Sequence, residues 1–536
     1  MEKKDMELNG NTDVNPLMGL DYPDPDVIRV GDIYYMVSTS MHFMPGCEIL
    51  RSYDLVNWEH AVYVYDVLDG TPGQTMEGEN NIYGKGMWAA SLRFHEGKFY
   101  ICFAANDTGK TYLYTSDRIA GPWKKRNIDG FYHDGSLLFD EDRVYIAYGN
   151  RDIYITQLKP DLSGPLTGGL HRLAVSDAGN PHLGYEGTHF YKIQGKYYLF
   201  FIHSLREKWM RTQACFVSDS MDGEFTGGDV LIDDRGYCGQ GVAQGGIVET
   251  PDKKWYAVLF QDYGAAGRIP VLVPVTWKDG YPLFGSGRKI PRQFDIPRNE
   301  KAGYGYRPLV QSDDFKKEQG LSGEQEREQY GCYGFRSVWQ FNHEPDMRLV
   351  GHDEKNGILW METGKLCKSL VQAKNVLTQR MLYPGCAGEI TIDICALKEG
   401  DYAGICALQG CYGMAAVTKR ADGHYDIVMI SREAEDDSLQ AMPEDTGEGT
   451  EWESVPVNQT QVRLKAEVDF RRRKDEARFF YHTGNGWRQV GITQKLYFKL
   501  DHFAGCRFGL FFYATKETGG RAGFRDFRYH TAVKGW

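Results

Sequence analysis

The chain has 536 residues, 42% hydrophobic and 25% charged, which is ordinary for a soluble globular protein but too long for a single hydrophobic core. Its formal net charge of −11, from 62 basic and 73 acidic side chains, makes it a poor surface for a polyanion and excludes nucleic acid as the expected partner. No stretch approaches the ~20 consecutive apolar residues of a membrane helix. The opening MEKKDMELNGNTDVNP also lacks an apolar signal core, so no membrane association and a cytoplasmic location are expected.

In chain order, one pattern recurs: a polar or aromatic lead residue, a short apolar run, a turn, then an aromatic-rich run. It reads Asp24-PDVIRVGDIYYMVSTS, Trp88-AASLRFHEGKFYICFAA and Asp134-GSLLFDEDRVYIAYGN, and returns as Glu186-GTHFYKIQGKYYLFFIHS and Gln244-GGIVETPDKKWYAVLFQD. An aromatic or Val-Tyr pair falls 10 to 12 residues after each lead residue, and the leads are 46 to 64 residues apart. Each copy is a hairpin by its alternation and turn chemistry, and second halves such as CEILRSYDLVNWE and TYLYTSDRIAGPW follow most of them. Five repeats of about four strands fit a β-propeller, whose innermost strands line a central channel. Equivalent lead residues then converge on the axis, and three of them, Asp24, Asp134 and Glu186, are acids. Structure alone avoids such repulsion, so the convergence points to chemistry or a cation.

Beyond Arg307-Pro308 the pattern stops. Alternating runs such as GEITIDICAL, YDIVMISR, VRLKAEVDF, ARFFYHTG and CRFGLFFYA predict a β-sandwich, giving an all-β chain divided into residues 1–310 and 311–536. The basic run Arg471-Arg472-Arg473-Lys474, followed by two acids, reads as a solvated hairpin turn. Nine acidic residues between Glu433 and Glu453, with no Lys or Arg, read as a surface loop. Eleven cysteines, odd in number and without a CxxC pair, read as reduced, mostly buried thiols rather than metal ligands.

The motifs Pro23-Asp24-Pro25, Met41-His42-Phe43-Met44-Pro45-Gly46, Gly86-Met87-Trp88-Ala89, Asp134-Gly135-Ser136-Leu137, Glu186-Gly187-Thr188-His189 and Gly267-Arg268-Ile269-Pro270, in this order on one repeat, resemble glycoside hydrolase family 43, especially its β-xylosidase branch. The resemblance implies a five-bladed propeller followed by a concanavalin-like jelly roll. It also implies an inverting exo-hydrolase that releases β-D-xylosyl or α-L-arabinofuranosyl residues from oligosaccharides. Carried over by residue, it makes Asp24 the general base, Glu186 the general acid and Asp134 the residue that orients the acid and tunes its pKa. Trp88, Phe43, Arg268, His189 and Gln244 become substrate contacts, with His42 a further lining residue. An inverting hydrolase needs one carboxyl group to protonate the leaving oxygen and another to activate water on the opposite face.

Two departures from the family stand out. Many members carry Gly-His-Gly in the fifth blade, often near an axial calcium, where this chain has Gly239-Gln240-Gly241 with Gln244 as lead. An amide is a modest cation ligand through its oxygen only, so no cofactor is required on this reading, and structural calcium is the one metal left open. Ala90 stands where the family commonly has proline. A phosphorolytic propeller enzyme would need clustered basic residues around one acid, and a carbohydrate-binding propeller would not need three converging acids. Homo-oligomerisation and the choice between xylose and arabinose are left open.

Overall fold

A computed structural model describes residues 14–321, 323–433 and 448–531. Five four-stranded antiparallel sheets, each a simple meander, follow one another along the first half of the chain. Their innermost strands are Asp26–Val30, Met87–His95, Ser136–Asp140, Glu186–Ile193 and Ala243–Glu249. These are the five predicted repeats, so the expected five-bladed propeller is present. The last blade ends with Tyr281–Phe284, and the first sandwich strand within the second half of the chain is Gln340–Asn342.

The ring closes through the N-terminal segment. Leu17 N and Tyr22 N donate to Pro270 O and Arg268 O (both 3.0 Å), and the Asn15 amide exchanges two hydrogen bonds with the Leu272 backbone (2.7 and 2.8 Å). Residues 15–22 therefore run beside the third strand of blade 5 and carry the chain directly into blade 1.

A buried ion pair organises the axis. Asp26 Oδ2 accepts from Leu92 N (2.8 Å) and from Arg93 Nη1 (2.7 Å). The Arg93 guanidinium also donates to Leu137 O (2.8 Å), Ser136 Oγ (2.7 Å) and Phe190 O (3.4 Å), while Ser136 Oγ accepts from Phe190 N (3.0 Å). Tyr191 OH donates to Asp26 Oδ1 (3.4 Å) and accepts from Ile247 N (3.2 Å). One network thus touches all five innermost strands.

The second half is a sandwich of an eight-stranded and a seven-stranded sheet. The strand Gln461–Asp469 illustrates why it folds: Val462, Leu464, Ala466 and Val468 are fully buried, while Arg463 and Lys465 face outward. The core between the sheets includes Ile390, Ile405, Leu464, Phe479, Phe508 and Phe524. Arg471–Arg473 form a one-turn 3₁₀ segment between Gln461–Asp469 and Glu476–His482, as the hairpin-turn expectation required. Most of the acidic stretch, residues 434–447, lies outside the described residues, but its end is corrected: Thr450–Val457 is an edge strand paired with Tyr425–Ser431, not loop. Among the described residues, no helix is long and apolar enough to cross a membrane.

The two halves are stitched together by shared sheet and buried charge. Phe43–Met44, from the first blade, pairs with Gln340–Asn342 as the outermost strand of the eight-stranded sheet. Arg380, from the sandwich, donates to Asp21 O (3.0 Å) and to Glu48 Oε2 (2.8 Å), whose other oxygen contacts His60 Nδ1 (2.9 Å). Replacing Arg93 with Met strands the Asp26 carboxylate without its cation, and the expected loss is about 3–5 kcal/mol, read by urea unfolding. The paired Asp26→Asn, Arg93→Met variant should lose less, because no unpaired buried charge remains.

Candidate active site

The upper ends of the innermost strands leave regular geometry just where the lead residues stand. Asp24, Asp134 and Gln244 have φ of 53°, 47° and 53°, the left-handed region that non-glycine residues seldom occupy. The strand registers shift at Met87/Ala90, Glu186/His189 and Ala243/Gly245, bulges that bracket or begin at Trp88, Glu186 and Gln244. Such irregularities re-aim side chains beside functional sites. Here they turn all five leads into one pocket, lined by Asp24, Trp88, Asp134, Glu186 and Gln244 together with Arg211, Arg268 and Phe503, among others. Its volume, open mouth included, is about 390 Å³. Gly187 follows the acid with φ +64°, and a Cβ there would lie 2.4 Å from the Gln244 amide carbon, so only glycine fits between the two blades.

Asp24 is held firmly: Arg268 Nη1 donates to both of its oxygens (2.8 and 3.0 Å) and Thr39 Oγ1 to Oδ2 (2.7 Å). The guanidinium of Arg268 lies 4.2 Å from the centre of the Phe503 ring, and its Nη2 reaches Phe503 O (3.3 Å). Phe503 belongs to the sandwich, so the second domain forms one wall of the pocket. Asp21 holds that wall in place, accepting from Arg268 N and from Gly505 N (both 2.7 Å).

Asp134 Oδ2 accepts from Gly187 N (3.1 Å), the residue after the candidate acid. Asn150 Nδ2 donates to Glu186 Oε2 (2.8 Å). His133 stands between the two acids, its Nε2 3.6 Å from Asp134 Oδ2 and 3.8 Å from Glu186 Oε2, with its ring edge-on to Trp88. Burial and the charges of Glu186 and Asp24 push the Asp134 carboxyl up to about 6, against the opposing pull of His133. Burial alone would lower His133, but Asp134, Glu186 and Asp24 outweigh it and raise the imidazole to about 9. Arg211, paired with Asp262, is pushed down to about 10 by burial and by repulsion from Arg268. Among the described residues, His133, Asp134 and Glu186 form the grouping of histidine and acids whose donor atoms lie within 4.8 Å of one another.

Trp88, Gln244 and Arg268 line the pocket, and Trp88 Nε1 and Arg268 Nε are buried donors without a protein partner. Phe43 and His189 do not line it. Phe43 is drawn into the sandwich sheet, where the Arg507 guanidinium lies 3.4 Å from its ring centre. The bulge after Glu186 turns His189 down the axis, with Nδ1 3.1 Å from Gly187 O and Nε2 3.6 Å from Asp26 Oδ1. His42 is buried at the domain junction against Phe43, Tyr83, His343 and His502. Sequence reasoning missed His133, Arg211 and Phe503. His133 had a local signal, since it adjoins a lead residue; Arg211 and Phe503 had none.

The sequence profile described as glycosyl hydrolases family 43 matches residues 14–282, and that of the β-xylosidase C-terminal concanavalin A-like domain matches residues 334–530. The chain belongs to glycosyl hydrolase family 43. It is a glycosidase. A β-xylosidase of Formosa agariphila is 25% identical, with 95% of this chain and 88% of that protein aligned. A non-reducing-end α-L-arabinofuranosidase of Bacteroides ovatus is 26% identical over 57% of this chain and 59% of its own length. A solved structure described as a bifunctional GH43-CE of Bacteroides eggerthii superposes with TM-score 0.87 at 40% identity, covering 98% of this chain. This chain spans 64% of that longer one.

His133→Gln should move the limb of the pH–activity profile governed by Asp134 to higher pH. It removes the one cation that opposes burial and the two neighbouring carboxylates at that group. An unchanged kcat/KM profile between pH 4 and 9 would contradict the assignment.

Proposed function

We propose that this enzyme is an exo-acting, inverting hydrolase that removes terminal β-D-xylosyl or α-L-arabinofuranosyl residues from short plant-derived oligosaccharides. The observation that carries the reading is the convergence of Asp24, Asp134 and Glu186 on one pocket. Relatives named as a β-xylosidase and an α-L-arabinofuranosidase support the pentose class.

On this reading a terminal sugar enters the pocket beside Trp88. Asp24, held by Arg268 and Thr39, takes the proton from a water on one face of the sugar, while Glu186 gives its proton to the departing glycosidic oxygen. The water adds to the anomeric carbon as the bond to the leaving oxygen breaks, which inverts the configuration. Asp134, bonded to the backbone that follows Glu186, fixes the acid's position.

Two pocket arginines, Arg211 and Arg268, bear on the phosphorolytic alternative. Each is already committed to a carboxylate, Arg268 to Asp24 and Arg211 to Asp262. That pairing favours water over a phosphate anion as the attacking group. We further propose that the enzyme works without a resident metal. The axis beneath the acids is occupied by the Arg93 guanidinium, a fixed positive charge that would repel a divalent cation there.

Asp24→Ala and Glu186→Ala should each lower kcat on an oligosaccharide by about 10²–10⁴-fold. The rates on para-nitrophenyl β-D-xylopyranoside and α-L-arabinofuranoside would rank the two sugars, and normal turnover by either variant would overturn the reading. Dialysis against a chelator should leave the rate unchanged, as should added inorganic phosphate. A chelator-sensitive rate restored by calcium would contradict the metal-free assignment.

A further inference from the structure

The two ends of the pocket differ in their openness. Asp24 is walled by Thr39, Arg268 and Phe503, and its side chain is 7% exposed; the Glu186 side chain is 24% exposed, and its Oε2 is hydrogen-bonded by the exposed Asn150. The leaving group must depart on the side of the group that protonates it, so whatever binds the leaving group stands around Glu186.

The second and third strands of the same blade, Lys196–Ser204 and Arg211–Ser218, are joined by a hairpin closed by Leu205 N donating to Met210 O (3.0 Å). Glu186 is in register with Ile202, and Ser204 with Arg211, so this hairpin projects from the blade just beyond the acid. Its tip carries Trp209, 40% exposed. A single exposed aromatic is commonplace on a protein surface. Trp209 differs in how it is seated. The guanidinium of Arg211, itself a pocket residue, lies 5.6 Å from the indole centre, and His182 meets the ring edge-on at 6.4 Å. The segment bearing His182 is pinned in turn by Arg151, the neighbour of Asn150, which donates to His182 O (2.7 Å) and Asn180 O (2.6 Å). Asn150, His182 and Trp209 therefore form a held rim on the acid's side of the mouth.

We propose that Trp209 is the platform of a leaving-group subsite, stacking its indole against the neutral sugar ring attached to the scissile bond. The ring offers a broad apolar face with C–H groups of the sugar as its partner, and Arg211 beneath it fixes the tilt. The inference rests on the hydrolase reading and adds where the second sugar binds. It also predicts that substrates with a saccharide leaving group gain affinity that a lone terminal pentose does not.

The test compares Trp209→Ala and Trp209→Phe with wild type on two readouts. One is kcat/KM for xylobiose, or for an arabinofuranosyl-xylobiose if that is what the wild type cleaves. The other is competitive inhibition by the free pentose, which fills only the inner pocket. Trp209→Ala should lower kcat/KM about ten-fold, with most of the loss recovered in Trp209→Phe, and leave the inhibition constant for the pentose unchanged. Equal losses in both readouts, or no loss on the oligosaccharide, would overturn the subsite. Wild-type protein inert toward both oligosaccharides would instead remove the hydrolase reading, and this inference with it.

Discussion

The site depends on a guanidinium buried on the propeller axis. Arg93 binds Asp26, Ser136 and the Phe190 carbonyl, which belong to three different blades. Asp26 and Ser136 each lie two residues beyond a lead acid, Asp24 and Asp134, and Phe190 lies four beyond Glu186. Fixing these positions anchors the starts of the innermost strands, and the left-handed residues and the bulge above them then turn the acids into the pocket. A propeller blade contacts its neighbours mainly through apolar packing, which tolerates sliding. A buried charge with directional partners does not, so the Arg93 network converts five loosely related repeats into one registered ring.

Above that hub, the pocket balances like charges against cations rather than avoiding them. Three carboxylates would repel one another at close quarters, and the structure answers with Arg268 on Asp24 and His133 between Asp134 and Glu186. The sandwich shares in this arrangement. Phe503 covers the Arg268 guanidinium, and Asp21 ties that arginine's backbone to the loop carrying Phe503. Excluding water from the Asp24 side strengthens the Arg268–Asp24 pair and leaves the Glu186 side as the open one. The second domain is thereby part of the site and not an appended module.

The repeat was legible because each blade repeats the same hairpin chemistry, and the lead residues were legible because the repeat aligns them. Sandwich runs such as Gly385–Asp393 and Gln461–Asp469 were recognisable by alternation, but Asp401–Leu408 and Gly413–Lys419 were not, since both are buried on nearly every side and lack the polar half of the pattern. Phe43 and His189 went astray for a related reason. A motif places a residue along the chain, whereas a domain junction or a bulge decides which way it faces. Arg93 and Asp26 read as ordinary polar positions within strands, and their partnership across 67 residues has no local trace. Arg211 and Phe503 reach the pocket only through tertiary packing.

The most direct test of the account is the anomeric configuration of the first sugar released, followed by proton NMR during early turnover of a β-D-xyloside or an α-L-arabinofuranoside. Asp24 activating water opposite Glu186 predicts that the product appears first as the inverted anomer, α-D-xylose or β-L-arabinofuranose, and equilibrates afterwards. First appearance of the retained anomer would mean that a carboxylate attacks the sugar directly, and the roles assigned to Asp24 and Glu186 would be wrong.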